Sequence, residues 1–237
     1  MMIRKIIAFF TLLVVLIGGT IFWSYDDAIF KFPTADKVVV LTYDDGPNPP
    51  DTQAILDVLE QYQVKATFFL KGRNVEAYPE VVKAVAKAGH EIGNHSYYHR
   101  PMIALAKGSI REEIERTNRL IVGALGSSPV LFRPPYGAQG PGLKLALKEL
   151  GMKSVIMSDN GADWEVDDPE LIASAILKTV EPGSIILLHD GHGDVDNPES
   201  QNSRAPTARA TAIIIESLKS RGYRFATVGE LMGEAGI

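Results

Sequence analysis

The chain has 237 residues, 46% hydrophobic and 22% charged, which suits one well-buried domain plus a short appendage and argues against wholesale disorder. Lys and Arg total 24 against 29 Asp and Glu, so the net charge of -5 makes nucleic acid a poor partner. There is no cysteine, which excludes disulfides, thiolate nucleophiles and Cys-based zinc or iron–sulfur sites, and any metal must be held by His, Asp or Glu.

Residues 1–5 (MMIRK) read as a cytoplasmic tip. The run from Ile6 to Trp23 carries no charge. At about 1.5 Å per residue its roughly 18 residues reach about 27 Å, close to the ~30 Å hydrocarbon core of a bilayer. Arg4 and Lys5 precede it and Asp26 and Asp27 follow it, so the positive-inside rule leaves the rest of the chain outside the cytoplasm. Residues 6–23 are therefore expected to be a transmembrane signal anchor, a single pass with the folded domain on the periplasmic or extracellular face. A cleaved signal peptide is the alternative, although GGTIFWSYDD offers no good A-x-A site. Residues 24–36 are short and weakly patterned and read as a linker, spanning at most about 45 Å when extended. The folded domain is expected over 37–237.

From Lys37 onward short apolar runs alternate with helical stretches. Strands are expected at Val38–Thr42, Ala66–Leu70, Glu91–Gly93, Val130–Phe132, Lys153–Met157, Ser184–Leu188 and Tyr223–Thr227. Helices are expected at Thr52–Gln61, Pro79–Ala88, Ser109–Leu125, Gly142–Leu150, Pro169–Thr179 and Thr207–Ser220, with Asp51 as a cap and Gly89, Gly151 and Gly222 as stops. Such alternation means an α/β fold with a parallel sheet. About seven units predict a distorted (β/α) barrel, with an open doubly wound sheet as the alternative. Residues 190–206 form a long polar connection, of the kind that is usually functional or mobile.

Working residues in parallel (β/α) folds sit at the C-terminal ends of the strands. Those ends carry Asp44-Asp45, then His95 and His99, then Arg133 in FRPPYG, then Asp163-Trp164, then His189 in SIILLHD. On one helical turn, His95 and His99 would share a face and reach one cation. Two His and one carboxylate make a three-ligand site with an open position. One of the paired aspartates can bind the metal while the other serves as base to an activated water; the spacing does not say which. An Asx turn before Gly46-Pro47 is the structural alternative for the pair. The Arg133 guanidinium can hold a catalytic carboxylate ionised, and the Tyr136 backbone N–H can serve an oxyanion. His189 can act as general acid, oriented and raised in pKa by Asp163. His90 should lie at the wrong end of its strand, and His192 should be solvated in the long loop.

Five blocks carry a resemblance: TYDDGP, HSYYH, RPPYG, DW and LLH. In this order, over roughly residues 37 to 230, they resemble the polysaccharide deacetylases of carbohydrate esterase family 4, the nodulation-protein-B homology domain. The resemblance implies a metal-dependent removal of acetyl groups from sugars. By its pattern Asp44 is the general base, held by Arg133. Asp45, His95 and His99 bind one divalent ion, usually zinc, with Co2+, Mn2+ or Ni2+ as alternatives. The Tyr136 backbone N–H stabilises the oxyanion, and His189, tuned by Asp163, protonates the leaving amine. Trp164, Leu187 and Tyr136 wall the acetyl pocket. Three features depart from the family pattern: Tyr43 for the commoner Phe, MSDNGA before Asp163-Trp164, and the long 190–206 connection. The implied function is N-deacetylation of an N-acetylglucosamine-containing glycan, peptidoglycan or chitooligosaccharide-like, by a monomer. The alternatives are an O-acetyl or lipid-linked-sugar deacylase and a non-catalytic glycan-binding relative.

Overall fold

β1 (Val38–Asp44) has all seven residues buried, as a parallel strand covered on both faces requires. In the computed structural model, which describes residues 18–20, 22–193 and 203–237, it is the hub of the sheet. The other strands are β2 (Thr67–Leu70), β3 (Glu91–Asn94), β4 (Leu131–Phe132), β5 (Lys153–Ser154), β6 (Asp159–Asn160), β7 (Ile185–His189) and β8 (Arg224–Ala226). The spatial order is β5-β4-β3-β2-β1-β7-β6, with β8 pairing β1, and the pairings are all parallel. β7 follows one edge of β1 from Val40 to Asp44, and Gly183 N–H donates to the Val38 carbonyl below it. The other edge is shared, with β8 against Val38–Val40 and β2 against Thr42–Asp44.

After β1, eight α-helices accompany the sheet among the described residues: α1 (Asp51–Gln61), α2 (Gly72–Ala77), α3 (Pro79–Lys87), α4 (Lys107–Leu125), α5 (Pro141–Leu150), α6 (Pro169–Thr179), α7 (Ala205–Ser220) and α8 (Val228–Ala235). Six match expected stretches. α2 is too short to show a period, and α8 is interrupted by glycines and recognisable mainly by its capping box, Thr227 with Glu230. Asp168 caps α6 through Leu171 N–H, at 3.0 Å. Asp51 does not cap α1. It is the first helical residue, and its carboxylate instead accepts from Asn48, Ser203 and the Arg204 N–H.

The period of two along β1 divides the core. Val39, Leu41 and Tyr43 face outward into a cluster with Ile55 and Leu59 of α1, Ile172 and Ile176 of α6 and Ile214 and Ile215 of α7. Val38 and Val40 face the barrel interior with Phe69, Leu131, Val155 and Ile185, and Val228 and Leu231 of α8 join them.

The curl closes by an unusual seam. β5 and β6 end the strand order, yet only residues 155–158 separate them in sequence. Val155 N–H still donates to Phe132 on β4, whereas Ser158 N–H already donates to Ile185 on β7. Of the expected strand Lys153–Met157 only Lys153–Ser154 forms a strand, and the chain then crosses to β6 beyond it. The gap is filled by residues read above as a linker: Ile29 pairs in parallel with Val155, Lys31 pairs antiparallel with Ser184, and Phe32 N–H donates to Gly183. Ile29 and Phe32 are buried in the interior cluster. The segment 24–36 is thus part of the body. No period marks it, because its apolar residues are buried by a gap between β5 and β7 that exists only after folding.

Most of the expected anchor at 6–23 lies outside the described residues. Among the described residues no helix is long and apolar enough to cross a membrane.

Phe32→Ala should destabilise the domain by about 3–5 kcal/mol, the cost of emptying a buried aromatic site. Urea unfolding would read this as a lower midpoint at unchanged slope.

Candidate active site

Asp44 is the last residue of β1 and points, like Val38 and Val40, toward the inside of the curl. By strict alternation Asp45 would face the outer helices. The strand ends between the two, and Asp45 takes φ 74, a left-handed conformation that Asp tolerates better than most residues. Both carboxylates therefore reach one pocket. Gly46 is required next: a Cβ there would stand 1.9 Å from the Asp190 carboxylate, which accepts the Gly46 N–H at 3.1 Å. Asn74 of α2 donates to the Asp45 carbonyl at 2.8 Å and holds the turn from the other side.

His95 and His99 do meet, with ring centroids 5.0 Å apart, but not on the helical turn expected. They follow β3 in a loop with positive φ at Ser96 and His99. Ser96 Oγ accepts the His99 N–H, and the Glu113 carboxylate of α4 accepts the N–H groups of Tyr97 and Tyr98 at 2.9 and 2.7 Å. His95 Nδ1 lies 2.8 Å from the Arg133 carbonyl, which places its proton there and leaves Nε2 as a lone-pair donor.

Asp45 Oδ1 lies 3.4 Å from His99 Nε2 and 3.7 Å from His95 Nε2. It is buried and has no hydrogen-bond partner. Burial disfavours its charge, but His99, His95 and Lys71 outweigh that and hold the carboxyl well below the usual range. A buried carboxylate oxygen without a proton donor, faced by two imidazole nitrogens, fits a divalent cation. The N, N, O donor set suits zinc. This is the one such group found among the described residues.

Arg133 is fully buried, and its guanidinium is spent within the protein. Nη1 donates to Asp44 Oδ1 at 2.8 Å and to Thr42 Oγ1 at 2.6 Å, while Nη2 and Nε donate to the carbonyls of Ile156 and Val155. The ring of Phe69 lies 4.2 Å beneath it. The arginine thus fixes Asp44 Oδ1, while Asp44 Oδ2 stands 3.6 Å from His95 Nε2.

Across the pocket His189 ends β7. Its Nδ1 pairs with Asp163 Oδ1 at 2.8 Å, and its backbone N–H donates to Asp163 Oδ2. Burial opposes the imidazolium, but the Asp163 carboxylate prevails, and the pKa of His189 is pushed up to about 9. Thr207 of α7 and Arg204 complete the support, donating to the Asp163 carboxylate and carbonyl at 2.9 and 2.8 Å.

Asp44, Asp45, His95, His99, Tyr136, Trp164, Leu187 and His189 all line one cavity of about 510 Å³. Arg133 and Asp163 stand behind that wall, holding Asp44 and His189. Tyr136 and Trp164 form an open rim, 69% and 46% exposed, and pack edge-on against His99 and His189.

Lys71, Asn74, Glu113, Asp190, Arg204 and Thr207 were not anticipated as parts of the site. Arg204 lines the pocket from the far end of the 190–206 connection. His192 is half-buried rather than solvated, its Nδ1 3.2 Å from Arg204. Asp190, adjacent to His189, was the one with a sequence signal. Burial pushes its carboxyl up to about 7, against the hydrogen bond from Thr52. His90, as expected, lies at the opposite end of the sheet, where its Nδ1 accepts the Ala66 N–H.

Residues 31–155 match the family model for polysaccharide deacetylases. The chain is 38% identical over 210 residues to a peptidoglycan-N-acetylglucosamine deacetylase of Bacillus cereus, covering 86% of this chain and 92% of the relative. It is 37% identical over 190 residues to a chitooligosaccharide deacetylase of Rhizobium leguminosarum bv. trifolii, covering 79% and 88%. A crystal structure of a peptidoglycan N-acetylglucosamine deacetylase superposes with a TM-score of 0.80 at 35% identity, over 86% of this chain and 92% of that one.

If Asp163 raises the His189 pKa, Asp163→Asn should lower the His189 titration midpoint by about a unit or more in metal-free protein, followed by NMR of the imidazole ring. A group acting as an acid loses activity as pH rises through its folded pKa, so the alkaline limb of kcat should move to lower pH in the same variant.

Proposed function

The chain belongs to the polysaccharide deacetylase family, and from that premise we propose that it is a divalent-metal-dependent hydrolase removing N-acetyl groups from N-acetylglucosamine-containing glycans, peptidoglycan or chitooligosaccharide-like. The observation that carries the reading is the convergence on one pocket of a cation-ready Asp45–His95–His99 cluster, an Arg-held Asp44 and an Asp-held His189. A non-catalytic glycan-binding relative would have no need of both supported acid–base groups.

Asp45, His95 and His99 would hold the divalent cation, which would supply Lewis acidity toward a water and the acetyl carbonyl. Asp44 takes the proton of the attacking water on Oδ2, the oxygen that Arg133 leaves free of its grip. The Tyr136 backbone N–H receives the developing oxyanion. His189, with Nδ1 committed to Asp163, gives its Nε2 proton to the departing amine. Trp164, Leu187 and Tyr136 enclose the acetyl methyl. The proposed ion is zinc. The charge-free run from Ile6 to Trp23 supports a single-pass anchor with the catalytic domain outside the cytoplasm.

Acetate release from chitooligosaccharides and peptidoglycan fragments should be abolished by chelation and restored by Zn2+, with O-acetylated xylan as the arm that distinguishes an O-deacetylase. Absence of metal-dependent release from any acetylated sugar by the folded protein would overturn the reading. Asp44→Asn should lose about 10²–10⁴-fold in kcat while keeping the metal. His95→Ala should lose the metal itself, read by elemental analysis after dialysis.

A further inference from the structure

The residues just after the apolar N-terminal run reach the rim of the catalytic pocket. Tyr25, half-buried, donates its hydroxyl proton to the Gly137 carbonyl at 2.9 Å and accepts the Gln139 N–H at 2.7 Å. One side-chain oxygen thus bridges two backbone groups across the turn that carries Tyr136. Its neighbours dock alongside: Ser24 Oγ donates to the Gln139 carbonyl at 3.0 Å, the Gln139 side chain donates back to the Ser24 carbonyl, and Lys144 donates to the Trp23 carbonyl.

That turn needs a brace. Tyr136 has φ 60 and ψ 13, and Gly137 follows at φ 63, two left-handed residues in succession. The conformation is unfavourable for a non-glycine residue and persists only where its surroundings impose it. The entry is held from within, by Gly137 N–H to the Pro134 carbonyl at 3.0 Å and Ala138 N–H to the Pro135 carbonyl at 3.1 Å. Tyr25 bridges the exit. Upstream the same stretch is anchored by Arg133, so Tyr136 hangs between the buried guanidinium and the Tyr25 hydroxyl.

We propose that Tyr25 is a positioning residue for the reaction: its hydroxyl holds the 136–139 turn so that the Tyr136 backbone N–H is aimed into the pocket. The inference rests on the deacetylase reading above, and it gives Tyr25, ahead of the first strand, a part in the reaction. An oxyanion donor acts by its placement, so a turn free to swing stabilises the transition state less while substrate binding changes little.

Tyr25→Phe in the 237-residue, Zn2+-loaded chain keeps the ring and removes both bonds. The expected result is a loss of about tenfold or more in kcat with KM within about twofold. The melting temperature should fall by no more than about 8 °C, the equivalent of the two hydrogen bonds removed. Ser24→Ala, which removes the bond to the Gln139 carbonyl at the far end of the turn and leaves both Tyr25 bonds in place, should leave kcat within about twofold. An unchanged kcat in Tyr25→Phe overturns the proposal. So does a loss that follows the folded fraction, or an equal loss in Ser24→Ala, which would assign the effect to docking of the whole segment. Amide hydrogen exchange at residues 136–139 reads the brace without substrate. If the wild type releases no acetate, the deacetylase reading falls on its own, and faster exchange in Tyr25→Phe still supports the brace while unchanged exchange overturns it.

Discussion

A guanidinium removed from water must be fully paired, and in this fold that demand falls on Arg133. Its partners are distributed in a way that makes the site and the barrel one object. Thr42 and Asp44 come from the central strand, the Val155 and Ile156 carbonyls come from the crossing that closes the seam, and the Arg133 carbonyl fixes the tautomer of His95. Displacing any of these elements would leave a buried charge incompletely satisfied. Asp44, His95 and the closure of the sheet are therefore held in register by a single side chain and its own backbone.

The second constraint is geometric. Adjacent residues of a strand point to opposite faces, so two neighbouring carboxylates serve one pocket only where the strand stops between them. β1 ends at Asp44, and the left-handed Asp45 swings its carboxylate back toward the two histidines. Positive φ recurs at Ser96, His99, Tyr136 and Ala162, each in a loop leaving the site end of the sheet or beside a site residue. Strain is concentrated where side chains must be aimed rather than merely buried. The like charges of Asp44 and Asp45 are separated in function in the same way, one facing Arg133 and the other facing the histidines.

The seam shows how far the catalytic body extends. A curl whose terminal strands are joined by four residues has a gap, and the chain fills it with its own N-terminal segment. That segment then continues back to the turn at 135–139. The distance between the apolar run and the pocket is therefore not a tether of variable length. It is a docked strap, and any anchor at its start would hold the pocket near the surface that bears it.

How much of this was legible depended on whether the signal was local. The alternation of strands and helices, the parallel sheet and the placement of Asp44, Asp45, His95, His99, Arg133, Asp163 and His189 at one end follow from periodicity and from the rule that strand C-termini carry the site. The roles that distinguish Asp44 from Asp45 came only with the resemblance to a known family. Invisible in sequence were the residues whose work depends on a partner far along the chain: Ile29 and Phe32 in the seam, Glu113 under the His95–His99 loop, Arg204 behind Asp163, and Tyr25 at the rim. Which chemical groups are available, and at which end of the sheet they gather, can be read from short-range period and turn residues alone. How each group is held emerges only on folding, because hydrogen bonds between positions 16, 41 or 112 residues apart leave no mark on any local pattern.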